Sequence, residues 1–405
     1  MKKQFYLFFV LLIGQLALAQ DIDFEEAEDL LQYQEWVEEA RQDSSLLFVV
    51  LWDKNDIAWQ RMEAENVFEN TAFIASLQSY KALQIPIASS MGARWVQLFP
   101  ANQLPAFYFL QGDELLLQIR SGYQTAEQLR EAAQKARSLA GRYETLSSHY
   151  GDGSLSTSQW KDLLYLHSLN FPFNETLSLA LEFLNSQNPN QLMSDDVLPL
   201  LVKYGVDLET PYPEKVIQNQ KSISGKLPDF NFNDFIAYTY SYNLDLAVAS
   251  EDSVLLNRLL EIVVPLSKDS LVKPSDLRFE TQKLYAEETG QFSILRQGVM
   301  EYTDTIQSDS LRAEAIFDYA FAVADEYNTK PALTAARKMA ARANVLHESF
   351  RYRMLEGYMA YLLQDYEEAE RLVTKAAGLT NNPNNQRKAE GLMQMIVREK
   401  ADNRD

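Results

Sequence analysis

Residues 45–68 read SLLFVVLWDKNDIAWQRMEAENVF, and the fold turns on the change of character at Trp52. From Ser45 to Trp52 the run is continuously apolar, short and β-branched. Such a run favours a buried central strand over a helix segment. The segment NDIAWQRMEAENVFEN that follows starts a helix, with Asp56 placed as its N-cap or first-turn acid.

Working outward, EEAEDLLQYQEWVEEARQ carries Ala27, Leu30, Leu31, Val37 and Ala40 at helical spacing and predicts an amphipathic helix. Downstream, Leu83 to Ser89 predicts a strand and Gly92 to Phe99 a short helix. LPAFYFLQGDELLLQI reads as strand, Gly-containing turn and strand, which makes a hairpin. TAEQLREAAQKARSLAG predicts a last helix that stops near Gly141. The expected order from Ile22 to about Arg142 is α-β-α-β-α-β-β-α.

Beyond about Tyr143 the character changes. SSHYGDGSLSTSQ is a Gly/Ser-rich connector, and nearly every later segment is helical in period, with Asn, Pro and Asp turns between. Small residues repeat there: Ala324, Ala336 and Ala343 have counterparts 33 residues later in Gly357, Ala369 and Ala376. Small side chains at such positions let paired helices approach closely.

The chain has 405 residues, enough for two or three domains, and 46% apolar composition with 21 Tyr and 21 Phe, enough to bury real cores. Its formal charge of -20 disfavours nucleic acid and anionic membrane surfaces as partners, because no basic excess exists to replace counterions. The first residues, MKKQFYLFFVLLIGQLALAQ, have a Lys2-Lys3 positive region, an apolar core from Phe5 to Ile13 and an Ala17-Leu18-Ala19 cleavage signal. This predicts a signal peptide over 1–19 and a mature charge of -22. The apolar run is short for a membrane anchor, and no second run is long enough to span. The expected location is therefore exported, periplasmic or secreted, in a Gram-negative envelope. The chain has no cysteine. It has no structural disulfide, thiolate nucleophile or zinc-cysteine site, so its domains must hold by packing.

Residues 22–140 resemble secreted thioredoxin-like proteins that carry a helical C-terminal extension. The likeness rests on the leading helix and first core strand, on NDIAWQRMEAENVF and on LPAFYFL. In that alignment Asn55 takes the family's tryptophan position, and Asp56 and Trp59 take the two positions of its C-x-x-C cysteines. Arg61, Met62 and Phe68 keep the pattern, and Pro105 takes the place of the family's cis-proline. The redox motif is the most specific part of the family and the part that this chain lacks. The resemblance implies a thioredoxin-like α/β domain over 20–142 without redox chemistry. It also implies a candidate peptide groove of Asn55, Asp56, Trp59, Leu104 and Pro105, in which the backbone before the cis-proline pairs with an extended peptide. The competing reading is that the groove is filled by packing. Residues 350–383 resemble a tetratricopeptide repeat, with a small residue in the first helix, a Gln364-Asp365-Tyr366 turn, an Ala-rich second helix and Pro383 after it. This implies an all-α helical-repeat domain over 143–405.

Other constellations carry less. DKND (53–56) lacks the turn Gly and the twelfth acidic ligand of a calcium loop. His149, His167 and His347 sit in no catalytic or metal pattern, and no G-x-S-x-G elbow is present. No catalytic, cofactor-binding or metal-binding residue is therefore expected. The aromatic-dense stretch from Phe230 to Asn243 reads as stacking against sugars or, preferably, as internal packing. Four Asp-Ser/Thr-aliphatic triplets, beginning at Asp252, Asp269, Asp304 and Asp309, resemble an O-glycosylation signal of exported proteins, with helix capping as the favoured explanation.

The expected function is a redox-inactive, exported module that binds or scaffolds protein or peptide partners, since helical repeats expose surfaces suited to polypeptide. Two alternatives stand beside it. One is a glycan-binding helical-repeat protein; the other is an enzyme that uses carboxylates of the helical domain.

Overall fold

The computed structural model describes residues 22–99, 101–112, 114–267 and 273–402. The expected signal peptide and its cleavage site lie outside the described residues, as does the Asp269 triplet. The chain divides into two compact units, Met1–Val197 and Leu198–Asp405. The first is mixed α/β at its start and the second is all helical, which is the expected order of fold classes.

The first unit is built on a five-stranded sheet. Its strands are β1 (Phe24–Glu26), β2 (Leu46–Trp52), β3 (Tyr80–Pro86), β4 (Ala106–Leu110) and β5 (Leu116–Ser121), in the spatial order β1-β3-β2-β4-β5. β3 runs parallel to β1 and β2, whereas β4 is antiparallel to both β2 and β5. Alternate residues of β2 seed two different cores, as the two-residue period of a strand requires. Leu46, Phe48 and Val50 meet Trp59, Met62, Phe73 and Leu129 on one face. Leu47, Val49 and Leu51 meet Tyr33, Val37, Met91 and Trp95 on the other. The helices α1 (Leu30–Asp43) and α4 (Ser90–Leu98) thus cover the second face. The helices α2 (Ile57–Ala64), α3 (Thr71–Ser76) and α5 (Ala126–Leu139) cover the first.

Two elements differ from the sequence expectation. β1 precedes α1 where the pattern reads as continuous helix, and Asp29 supplies the true N-cap by accepting from the Gln32 amide at 3.0 Å. The two-turn α3 also emerges between α2 and β3, capped by Asn70, whose side chain accepts from the Ala72 and Phe73 amides. Both elements are too short for a periodic signal.

The change of character at Tyr143 is a change of secondary structure within one packing unit. After α5 come α6 (Arg142–Gly151), α7 (Thr157–Asn170) and α8 (Phe173–Asn185). Leu146 of α6 and Leu163 and Leu166 of α7 belong to the same core as β2 and α5. At the end of α7, the Asn170 side-chain amide accepts from Leu116 N at 2.8 Å and donates to Leu116 O at 2.9 Å. It imitates a neighbouring strand and occupies an otherwise open sheet edge.

In the second unit, α9 (Leu198–Tyr204), α10 (Tyr212–Gln218) and α11 (Gln220–Lys226) precede the long α12 (Phe232–Ser250). The aromatic-dense stretch forms the start of α12, where Phe235, Ile236 and Thr239 are buried. Its Asn243 is fully buried, accepting from Leu208 N and donating to Val206 O. Next come α13 (Ser253–Arg258), α14 (Pro274–Thr289), α15 (Phe292–Thr303), α16 (Asp309–Glu326), α17 (Lys330–Leu346), α18 (Phe350–Leu362), α19 (Tyr366–Gly378) and α20 (Pro383–Asp402). Asp252 caps α13 by accepting from the Val254 and Leu255 amides, so its triplet is a helix start. Asp309 is the first residue of α16, whose cap is Ser308, and Asp304 ends α15.

The small-residue repeat falls on equivalent helices. Ala324 lies on α16 with Ala336 and Ala343 on α17, and Gly357 lies on α18 with Ala369 and Ala376 on α19. Ala336, Ala343, Ala369 and Ala376 are fully buried. A Cβ added at Gly357 would stand 2.9 Å from Val373 Cγ2, so glycine sets how closely α18 and α19 approach.

Gly357→Val is accordingly expected to destabilise the protein by about 1–3 kcal/mol through overpacking. Gly378, which has no neighbour within 4 Å of a new Cβ, is the control. Gly378→Ala should leave the unfolding midpoint unchanged or raise it, helix propensity favouring Ala by up to ~1 kcal/mol. Urea unfolding followed by circular dichroism at 222 nm distinguishes the two; equal midpoints would remove the close-approach role of Gly357.

Candidate functional site

β2 and β4 end together. In their antiparallel register Leu51 lies opposite Ala106, so the segment that leaves β2 and the segment that enters β4 emerge at the same end of the sheet. That register brings Asn55 and Asp56, on one segment, to the end of the sheet where Leu104 and Pro105 lie. The Leu104-Pro105 peptide bond is cis.

The loop after β2 is tied by its own polar groups. Asn55 N donates to Asp53 Oδ1 at 2.8 Å, and Asp56 N donates to Asp53 O at 3.0 Å. Asp56 has extended backbone angles, and its carboxylate accepts from the Trp59 amide at 2.9 Å. It is the N-cap of α2. A side chain that caps in this way satisfies one of the helix's orphan N–H groups and places negative charge at the positive end of the dipole. The anion favoured at this helix start is thus supplied by the chain itself.

Trp59 points the other way. It is only 3% exposed and packs in tilted contact 5.0 Å from the Trp52 ring and 4.9 Å from the Phe68 ring. Its Nε1 is buried with no hydrogen-bond partner. Burial of the large ring outweighs the ~1–3 kcal/mol cost of an unpaired donor. Met62, one turn on, is fully buried in the same core. Of the five candidate groove residues, Trp59 is therefore a core residue.

The other four differ in exposure. Asn55 is exposed, Asp56 and Leu104 are half-buried, and Pro105 is buried with its carbonyl accepting from Gly122 N at 2.8 Å. Leu104 has no hydrogen-bonded backbone partner among the described residues. Sequence reasoning missed Ile57. An isoleucine in the first turn of a helix reads as core, yet Ile57 is 82% exposed. The signal that could have found it is its place between the cap and Trp59, which faces inward two residues later.

A second polar cluster holds the far end of α2. Arg61 pairs with Glu65 at 2.8 Å and lies 4.1 Å over the Tyr123 ring, while the Tyr123 hydroxyl donates to Glu65. The hydrogen bond from Tyr123, and then Arg61, hold the Glu65 carboxyl below its usual range. These contacts link α2 to the turn after β5.

The histidines have local structural roles where partners are visible. His167 Nδ1 lies 3.0 Å from Thr176 Oγ1 and its ring stacks on Phe171, and His149 Nδ1 lies 3.2 Å from Gln159 Nε2. Among the described residues no three His, Asp or Glu side chains gather in a way that could hold a metal ion. No helix of the described residues is long and apolar enough to cross a membrane.

No family model matches the sequence, and no curated protein matches it. Among solved structures, a DHF119 filament chain aligns at 15% identity over 65% of this chain and 93% of that chain, with a TM-score of 0.12. Superposition that poor carries no argument about fold or function.

Two substitutions separate the roles of the helix start. Trp59→Ala is expected to cost about 3–5 kcal/mol, whereas Trp59→Phe keeps the aromatic packing, removes the unpaired N–H and should cost less than ~2 kcal/mol. Asp56→Ala should cost ~1 kcal/mol through loss of the cap, with Asp56→Asn close to the parent. Chemical denaturation of the four variants gives the ranking, and a Trp59→Ala cost under 1 kcal/mol would contradict the core role.

Proposed function

We propose that the chain is an exported, redox-inactive thioredoxin-like protein whose sheet end binds an extended polypeptide, with a tetratricopeptide-like helical region providing further binding surface. The observation that supports this most is the lip at Leu104. Its backbone has no hydrogen-bond partner among the described residues and lies beside a cis-proline, at the end of the sheet where Asn55 and the exposed Ile57 lie. An extended peptide adding there gains main-chain hydrogen bonds and an apolar contact together. The conversion of both thiol positions, one into a helix cap and one into core, favours holding over electron exchange.

The leader pattern of residues 1–19 supports export. The paired helices favour a scaffold reading because such stacks present extended surfaces to polypeptides. No observation favours the glycan-binding or enzymatic alternatives over it.

Two experiments test the reading. A photo-crosslinking residue at position 57 should capture polypeptides from the protein's own envelope fraction, and Leu104→Pro, which removes an amide donor, should reduce the yield at least about fivefold, one lost peptide hydrogen bond being worth ~1 kcal/mol. Equal capture from a crosslinker at the exposed Val254 would sink the groove. The parent should show no insulin-reduction activity, and Asp56→Cys with Trp59→Cys should create a reducible pair; failure of those thiols to bridge in a folded variant would break the thioredoxin register.

A further inference from the structure

The second unit contains a pocket that the groove reading does not use. It is a cavity of about 400 Å³ between α15 and α17, with Phe292, Pro331 and Ala335 among its apolar lining. That volume falls within the ~300–1,000 Å³ of small-molecule sites. Three cations line the same pocket: Arg296, Lys330 and Lys338. Lys330 and Lys338 stand two turns apart on one face of α17, with Thr334 between them. Arg296 stands one turn beyond Phe292 on α15.

None of the three cations has an ion-pair partner among the described residues. The chain as a whole carries 57 carboxylates against 37 Lys and Arg. Neighbouring cations do find partners: Arg278 pairs with Glu301, and Arg337 pairs with Asp365 and Glu368. The placement also runs against helix electrostatics. Lys330 is the first residue of α17, and neither α15 nor α17 has an acidic residue in its first turn. A cation at the positive end of a helix is unfavourable unless an anion compensates it. Thr334 is neutral, and its hydroxyl donates to Lys330 O at 2.7 Å.

We propose that this pocket binds an organic anion with an apolar body. Its charged group lies among Arg296, Lys330 and Lys338, and its body packs on Phe292, Pro331 and Ala335. A bare inorganic ion leaves the apolar lining uncovered, and a neutral apolar molecule leaves the three lining cations without compensation. A carboxylate or sulfonate on an aromatic or aliphatic body satisfies both halves.

The test is titration of the full-length protein with 2-naphthoate, followed by calorimetry, with 2-naphthamide and inorganic phosphate as comparisons. The expected result is saturable one-site binding of 2-naphthoate, at least about tenfold tighter than either comparison and weakened by salt, as Coulombic binding at a partly exposed site requires. Arg296→Gln and Lys338→Gln should each weaken it about fivefold or more, and Lys338→Glu further still, with unfolding midpoints little changed because Lys338 is exposed, Arg296 is half-buried and neither has an ion pair to lose among the described residues. Equal affinity for 2-naphthamide or phosphate, no saturable binding of 2-naphthoate, or binding unaffected by the three substitutions overturns the proposal.

Discussion

Burial of β2 on both faces is the constraint on which the first unit depends. Every residue from Leu46 to Leu51 is buried, and successive side chains feed opposite cores. A shift of one residue would exchange the two sets and place Phe48 among the partners of Val49. No disulfide can hold the sheet, because the chain has no cysteine. The register with β3 and β4 is therefore fixed by packing alone, and it decides where the strand ends. Trp52 closes β2, and the loop that follows must turn into α2 at the sheet's end beside Pro105.

That constraint was legible because it has a strong local signature. An eight-residue apolar run followed by a capped helix is readable without neighbours, and so is a hairpin flanked by polar turns. The repeat of small residues was readable for a related reason: close helix packing admits few side chains at Gly357 or Ala336. Elements without internal periodicity were not readable. β1 has three residues, two of them exposed glutamates, and exists because β3 offers it a parallel edge. The extent of the first unit was hidden as well. Leu146, Leu163 and Leu166 look like any helix-core residues, and only the tertiary structure shows them joining the sheet's core.

The candidate groove was half legible. Residue types at 56 and 59 exclude thiol chemistry from sequence alone, but cap and core roles depend on geometry: a 2.9 Å bond to the Trp59 amide for one, rings 5.0 and 4.9 Å away for the other. Ile57 lies between them and faces outward, which periodicity over so short a helix cannot settle. The basic pocket was not legible at all. Its cations come from two helices separated by a third in the chain, and in a strongly acidic sequence nothing marks Arg296, Lys330 and Lys338 as a set.

Helix starts are where these readings meet, because the charge placed at each separates a closed terminus from an open one. α2 begins with Asp56 and α13 with Asp252, each carboxylate bonded to its own backbone amides. α19 begins with Glu367 and Glu368 in its first turn. These termini have their compensating negative charge built in and need none from outside. α17 has a neutral cap in Thr329, then Lys330, and no Asp or Glu along its length. Arg337 finds carboxylates at the start of α19, whereas Lys330 and Lys338 find none among the described residues. Asp325 and Glu326 end α16 only a few residues earlier, yet neither pairs among the described residues with Lys330, which lines the cavity. The start of α2 is the opposite case: its charge is fixed, internal and already engaged.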